Sequence, residues 1–217
     1  LFREMLGLPA QIPLGDGSDL FVWDPGDGSD LVEGGNDVDI LRFNGSSTSA
    51  NEVFNLFADL TNPARTRLTR NVGSIVMDIA SVEQVDINPA GLGDTVIVGR
   101  ANDGDGTLVS PSTATATLSD LSTTDVRVVN INLEGAPAGG SDGVADSVFI
   151  DGRPADDNIS VSASKNVVTV AGLTADIKIR RSDATLDRLT VRGNEGNDTI
   201  KAQAGVENNI LITLDGG

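Results

Sequence analysis

The sequence predicts an all-β chain, specifically a parallel β-solenoid of the β-roll or β-helix kind with short strands and Gly/Asp turns. Three observations carry that expectation. Apolar and polar residues alternate in short runs such as Asp176-Ile177-Lys178-Ile179-Arg180, the mark of a strand with one buried face. Clusters of turn residues separate these runs at roughly ten-residue intervals. Aromatic residues make up only 3% of the chain, which suits a thin core of stacked Val, Ile and Leu rather than bulky rings.

Taken in order, residues 1–10 carry scattered Leu, Phe and Met and read as a turn or two of helix. From Gly15 to Phe43, Gly/Asp clusters alternate with the apolar runs Leu20-Phe21-Val22, Leu31-Val32 and Ile40-Leu41, each a short strand. Further strands are expected at 52–57, 65–70, 74–79, 84–87, 95–98, 126–133, 147–150, 159–163, 167–170, 177–180, 189–191, 199–202 and 209–214. Residues 49–60 fit a helix as well as a strand. Residues 101–124 are rich in Ser, Thr, Gly and Asp and read as a linker or long loop.

An internal similarity flanks that loop. Asp39-Ile40-Leu41-Arg42-Phe43-Asn44-Gly45 resembles Asp146-Ser147-Val148-Phe149-Ile150-Asp151-Gly152. Val85-Asp86-Ile87 with Gly93-Asp94-Thr95-Val96-Ile97 resembles Leu189-Thr190-Val191 with Asn197-Asp198-Thr199-Ile200. The two matches suggest two copies of one module of short strands.

Composition narrows the function. With 32 acidic and 15 basic residues the chain carries a net charge of −17, so nucleic acid is excluded as a partner, anionic membrane surfaces are disfavoured, with no membrane insertion expected, and cations are favoured. Cys and His are both absent, which removes disulfides, thiolate and imidazole ligands, and any Ser-His-Asp or Cys-His catalytic arrangement. Oxygen ligands remain, and they suit calcium. No apolar run reaches the length of a membrane span. The start has neither an initiator Met nor the stages of a signal peptide, so the chain is expected to be an internal piece of a longer polypeptide whose export signal lies elsewhere.

The acids are not scattered. They recur at fixed offsets from glycine in Gly15-Asp16-Gly17-Ser18-Asp19-Leu20-Phe21, in Gly26-Asp27-Gly28-Ser29-Asp30-Leu31-Val32, and in Gly34-Gly35-Asn36-Asp37-Val38-Asp39-Ile40-Leu41. An isolated fourth copy is Gly193-Asn194-Glu195-Gly196-Asn197-Asp198-Thr199-Ile200, and Asp215-Gly216-Gly217 matches the opening of another. Three copies within one short stretch exceed what solubility or ordinary Asp/Gly turns require. The chain here resembles the RTX, or haemolysin-type, calcium-binding repeat proteins secreted by bacteria. It departs from their pattern where Trp23-Asp24-Pro25 lengthens the first interval and where Asp37 replaces a glycine. The resemblance implies a parallel β-roll with calcium shared between stacked turns, and Asp16, Asp19, Asp27, Asp30, Asp37, Asp39 and Asp198 as metal ligands. It also implies that the first and third copies stack, bringing Asp19 near Asp39.

The organisation that follows is calcium-binding repeats with their lead-in over 1–45, a first β module over 46–100, the loop over 101–124, and a related second module over 125–217. The function expected is a non-catalytic, extracellular or cell-surface module, structural or adhesive, that folds or rigidifies on binding calcium. Two alternatives stand beside it. One is a calcium-dependent carbohydrate-handling β-helix, with Arg180 and Arg181 on its face and Trp23 and Phe21 as a sugar platform or an end cap. The other is a self-assembling surface-layer or filament subunit, so that the partners expected are calcium, a second copy of the chain or a cell-surface polymer.

Overall fold

A computed structural model describes residues 9–49, 51–101, 120–133 and 142–217. Seventeen strands build two sheets, and the chain repeatedly crosses from one to the other. The first sheet holds β1 (Ala10–Asp16), β3 (Asp30–Asn36), β5 (Val53–Ala58), β6 (Thr66–Arg70), β7 (Ile75–Ala80), β9 (Thr95–Val98), β11 (Ser147–Asp151), β15 (Arg188–Arg192) and β17 (Leu211–Asp215). The second holds β2 (Leu20–Trp23), β4 (Ile40–Asn44), β8 (Gln84–Asn88), β10 (Val128–Asn132), β12 (Asn158–Ser164), β13 (Val167–Ala171), β14 (Asp176–Arg180) and β16 (Thr199–Ala202). Spatial order is β1-β3-β7-β6-β5-β9-β11-β15-β17 in the first sheet and β16-β12-β13-β14-β10-β8-β4-β2 in the second.

This overturns the expectation of a parallel β-solenoid. Neighbours such as β2 and β4 or β9 and β11 do pair in parallel, but β5, β6 and β7 form an antiparallel meander. So do β12, β13 and β14, and both sheets are therefore mixed and stack as a sandwich. The cause is local turn chemistry. Lys165 and Asn166, the only residues between β12 and β13, have φ of 50° and 60°, the paired left-handed values of a two-residue hairpin turn. Such a turn can join only antiparallel strands. The link from β5 to β6 is tied by Asp59, which accepts hydrogen bonds from the backbone N–H groups of Thr61 and Asn62 and pairs with Arg67.

The thin aliphatic core is present. In the second sheet Leu41, Val85, Val129 and Ile177 stand in register on adjacent strands, as do Phe43, Ile87, Ile131 and Ile179. The first sheet opposes them with Phe54, Val96, Val148 and Leu189, and with Leu56, Val98, Ile150 and Val191. All sixteen are buried in one continuous cluster. Burying each such side chain contributes about 1.5–3 kcal/mol, before the opposing chain entropy. Trp23 belongs to this core. It is 0% exposed, stacks on Phe43 with ring centroids 4.0 Å apart and donates its indole N–H to the Gly28 carbonyl at 2.6 Å. It is thus no sugar platform. The Arg70 guanidinium lies over the indole and is paired with buried Glu52.

Residues 49–60, which fit either state, contain β5 rather than a helix. The helical reading of 1–10 falls almost wholly outside the described residues, as do most of the loop over 101–124 and its Asn102-Asp103-Gly104-Asp105-Gly106 cluster. The described end of that loop places Leu121 in the core through a short 3-10 turn. Both sheets continue across the module boundaries after residues 45 and 100, since β4 pairs β8, β8 pairs β10 and β9 pairs β11. The internal similarity also takes a different meaning. It relates β4 to β11, β8 to β15 and β9 to β16, each pair lying in opposite sheets, so the recurring unit is a turn and its following strand.

Close stacking of these turns is set by glycine. A Cβ on Gly34 would stand 1.6 Å from the Ser81 carbonyl oxygen and 2.7 Å from Asp39 Oδ2. Substitution Gly34→Ala should therefore cost about 3 kcal/mol, the upper range for forcing an extra carbon into a packed site. Urea unfolding followed by Trp23 fluorescence measures it, and an unchanged midpoint would refute the stacked geometry.

Candidate functional site

The candidate site grows out of one sequence position, the residue immediately before a strand. Asp19, Asp39, Glu52, Glu83, Asp94, Asp146, Asp157, Asp187 and Asp198 each occupy it, ahead of β2, β4, β5, β8, β9, β11, β12, β15 and β16 respectively. Parallel pairing brings these acids into columns along the edges of the sandwich. There each one serves its neighbour. The backbone N–H of Asp19 donates to Asp39 Oδ1 at 2.8 Å, and that of Asp39 donates to Glu83 Oε2 at 2.9 Å. On the other edge Glu52 donates to Asp94 Oδ1 at 2.9 Å, Asp94 to Asp146 Oδ1 at 2.6 Å, and Asp146 to Asp187 Oδ1 at 2.9 Å. Asp157 donates to Asp198 Oδ1 at 2.8 Å. In return the carbonyl of the earlier acid accepts the first N–H of the later strand, as Ile40 to Asp19 at 2.9 Å and Ser147 to Asp94 at 2.9 Å.

The seven residues expected to hold metal fall into different places. Asp19 and Asp39 are brought together, as the stacking of first and third copies requires. Asp16 lies beside them at the end of β1, exposed, accepting from Asn36 Nδ2 at 2.7 Å. Asp37 is exposed between β3 and β4, in the loop of Asp39, with φ 73°, the left-handed conformation that a glycine would otherwise supply. Asp27 and Asp30 sit apart, on the turn from β2 to β3. Asp27 accepts from the Asp24 backbone N–H at 2.8 Å, while Asp30 is 6% exposed, its carboxyl raised by burial and then by Asp27. Asp198 stands at the far end of the second sheet with Asp157. Glu52, Asp94, Asp146, Asp157 and Asp187 were not expected to form columns, although their place before a strand is visible in the sequence.

The first column fits a cation in one respect and limits it in another. Asp39 is 0% exposed, and its Oδ2 has no hydrogen-bond partner; neither does the buried Oδ2 of Asp19. Two buried carboxylate oxygens without partners are costly unless a charge offsets them. The Ser81 carbonyl crowds Gly34 next to Asp39 Oδ2, so backbone oxygen is at hand. Yet among the described residues no three acid side chains converge on one point. An ion here would draw on two carboxylates and complete its shell with carbonyls and water.

The second column is more strained electrostatically. Burial, with Glu52, Asp146 and Asp142 nearby, pushes Asp94 up to about 7. Burial, with Asp187 and Asp142, pushes Asp146 up to about 6. Asp187 is likewise raised, chiefly by burial. By contrast burial of Asp59 is outweighed by its hydrogen bonds from Thr61 and Arg67, which hold that carboxyl well below the usual range.

On the outer face of the second sheet lies an open groove of about 380 Å³, lined by Arg42, Asp86, Asn88, Asn130, Asn132, Arg180 and Arg181. Asp86 is its one acid and accepts from Asn130 Nδ2 and Gln84 Nε2, each at 2.8 Å, and from Arg42 at 3.4 Å.

No described helix is long and apolar enough to cross a membrane. Compared with protein-family models, curated proteins and solved structures, the chain has no match.

The carboxyl shifts set a pH dependence. Groups raised by folding, such as Asp94 and Asp146, hold protons in the folded chain that the unfolded chain has lost. Their stabilising effect is complete below the unfolded value near 4 and disappears as pH rises through about 6 to 7. Asp59, lowered by folding, acts in the opposite sense and loses its contribution as pH falls below the unfolded value. Metal-free protein should therefore be most stable near about pH 4 and weaken toward pH 8, and Asp94→Asn should flatten that alkaline slope. Thermal melts in chelator across this range provide the measurement.

Proposed function

We propose that this chain is a calcium-stabilised, non-catalytic β module, structural or adhesive, that works outside the cell. The observation that carries the reading is the Asp19–Asp39 pair, stacked on adjacent turns, with a buried, unpartnered carboxylate oxygen on each residue. The resemblance of the residues 15–41 to calcium repeats points to the same place. In calcium-poor surroundings the stacked acids repel one another and loosen the turns. A divalent ion offsets that repulsion, and because it binds only the folded arrangement its binding free energy adds to stability. Calcium modules outside cells work with dissociation constants of roughly 0.1–1 mM, which leaves them empty in the cytoplasm and filled after export.

At a hundredfold excess over its dissociation constant, calcium should contribute about 2.7 kcal/mol. For a chain of this size that corresponds to a melting shift of roughly 5–10 °C. The shift should vanish in chelator and shrink in Asp39→Asn. Identical melts with calcium and with chelator would reject the proposal.

A second reading draws on the Arg42, Arg180 and Arg181 groove. In a chain of net charge −17, three guanidinium groups around one open groove favour an anionic, hydroxyl-rich ligand, so the module would handle acidic polysaccharide. A uronate oligomer titrated by calorimetry should bind the wild type and lose at least tenfold in affinity to Arg180→Ala. Absence of heat with any uronate polymer would remove this reading and leave the calcium proposal untouched.

A further inference from the structure

The second acid column holds a feature that the calcium-repeat motifs do not cover. Asp94 is 2% exposed, accepts one hydrogen bond on Oδ1 from the Glu52 N–H, and has no partner on Oδ2. Asp142 accepts the Val144 N–H on Oδ1 at 2.9 Å, and its Oδ2 is likewise buried and unpartnered. The loop of Asp142, Val144 and Ala145 packs on Gly93, the residue before Asp94, and Asp142 raises the carboxyls of Asp94, Asp146 and Asp187. The side-chain charges that raise one or another of these three are the acids Glu52, Asp142, Asp146, Asp183 and Asp187. The contrast with Asp157 is informative, because Arg153 covers that carboxylate through both its backbone N–H and its guanidinium, each at 2.7 Å. Backbone oxygen is available too. Gly93, at φ 68°, lets the next turn approach until the Ala145 carbonyl stands 3.4 Å from where a Cβ would be.

We propose that Asp94 and Asp142 form a second cation site, on the opposite edge of the sandwich from Asp19 and Asp39, that takes a hard divalent ion such as calcium. The two unpartnered oxygens supply the charged ligands, and carbonyls and water complete the shell, since calcium wants six to eight oxygens. The site does not depend on the Asp19–Asp39 pair. It bridges β9 to the loop entering β11.

Equilibrium dialysis of the full chain with calcium, read as ions bound per chain, tests this directly. The variants are Asp39→Asn, Asp94→Asn and Asp142→Asn, with far-UV circular dichroism as a check on folding. Asp94→Asn and Asp142→Asn should each remove one ion, or weaken one class of site at least tenfold, while Asp39→Asn leaves that class intact. Wild-type binding in both Asp94→Asn and Asp142→Asn overturns the second site, whatever happens at Asp39. Should Asp94→Asn fail to fold, Asp142→Asn decides alone, because Asp142 gives no hydrogen bond to the columns. Loss of the same single ion in all three variants would mean one shared site, and it too would overturn the proposal.

Discussion

Everything in this sandwich hangs on a hydrogen bond from a backbone N–H at one strand entry to a carboxylate at the next. A strand that starts at a tight turn leaves its preceding N–H without a ladder partner, and a buried N–H without a partner costs about 1–3 kcal/mol. Placing Asp or Glu there solves the problem for the neighbouring turn instead of its own. The bond is charge-assisted and so stronger than an amide–carbonyl bond. It also fixes register, because a slip of one residue would move the acid out of reach and turn every apolar ladder outward.

The same solution explains the charge of the chain. β5, β9, β11 and β15 each bring an acid to the column, so Glu52, Asp94, Asp146 and Asp187 end up in line and buried. Where an arginine happens to face the column, as Arg153 faces Asp157 or Arg70 faces Glu52, the repulsion is met within the chain. With few basic residues overall, most positions lack such a partner. Protons or counter-ions are the remaining means of neutralising them.

Much of this was legible in the sequence. Alternation such as Asp176-Ile177-Lys178-Ile179-Arg180 located nearly every strand, because half-buried strands impose a two-residue period on side-chain choice. The stacking of Asp19 on Asp39 was what the resemblance to calcium repeats implied. Direction was harder to read. Lys165-Asn166 contains no glycine, yet both residues take positive φ and reverse the chain. Asn166 tolerates that conformation through its short polar side chain, whereas Lys165 must be held there by the sheet on either side. The acids of the second column were overlooked for a related reason. Asp94, Asp146 and Asp187 follow Gly93, Ala145 and Leu186 rather than a repeated glycine pattern, so only their position ahead of a strand marks them.

The two edges also differ in what their acids can do. On the edge of Asp19 and Asp39 the turns are glycine-rich, with Asp16 and Asp37 exposed near half-buried Asp19 and buried Asp39. The solvent-facing side of that edge is acidic. On the edge of Asp94 the acids are packed beneath the loop of Asp142, Val144 and Ala145, and Gly93 touches that loop directly. Charge placed there is shielded less by water, so each interaction is worth more and each mismatch costs more. A fold that gathers carboxylates to satisfy its own backbone thus acquires two unequal acidic environments, one beside exposed acids and one enclosed, from a single repeated residue choice.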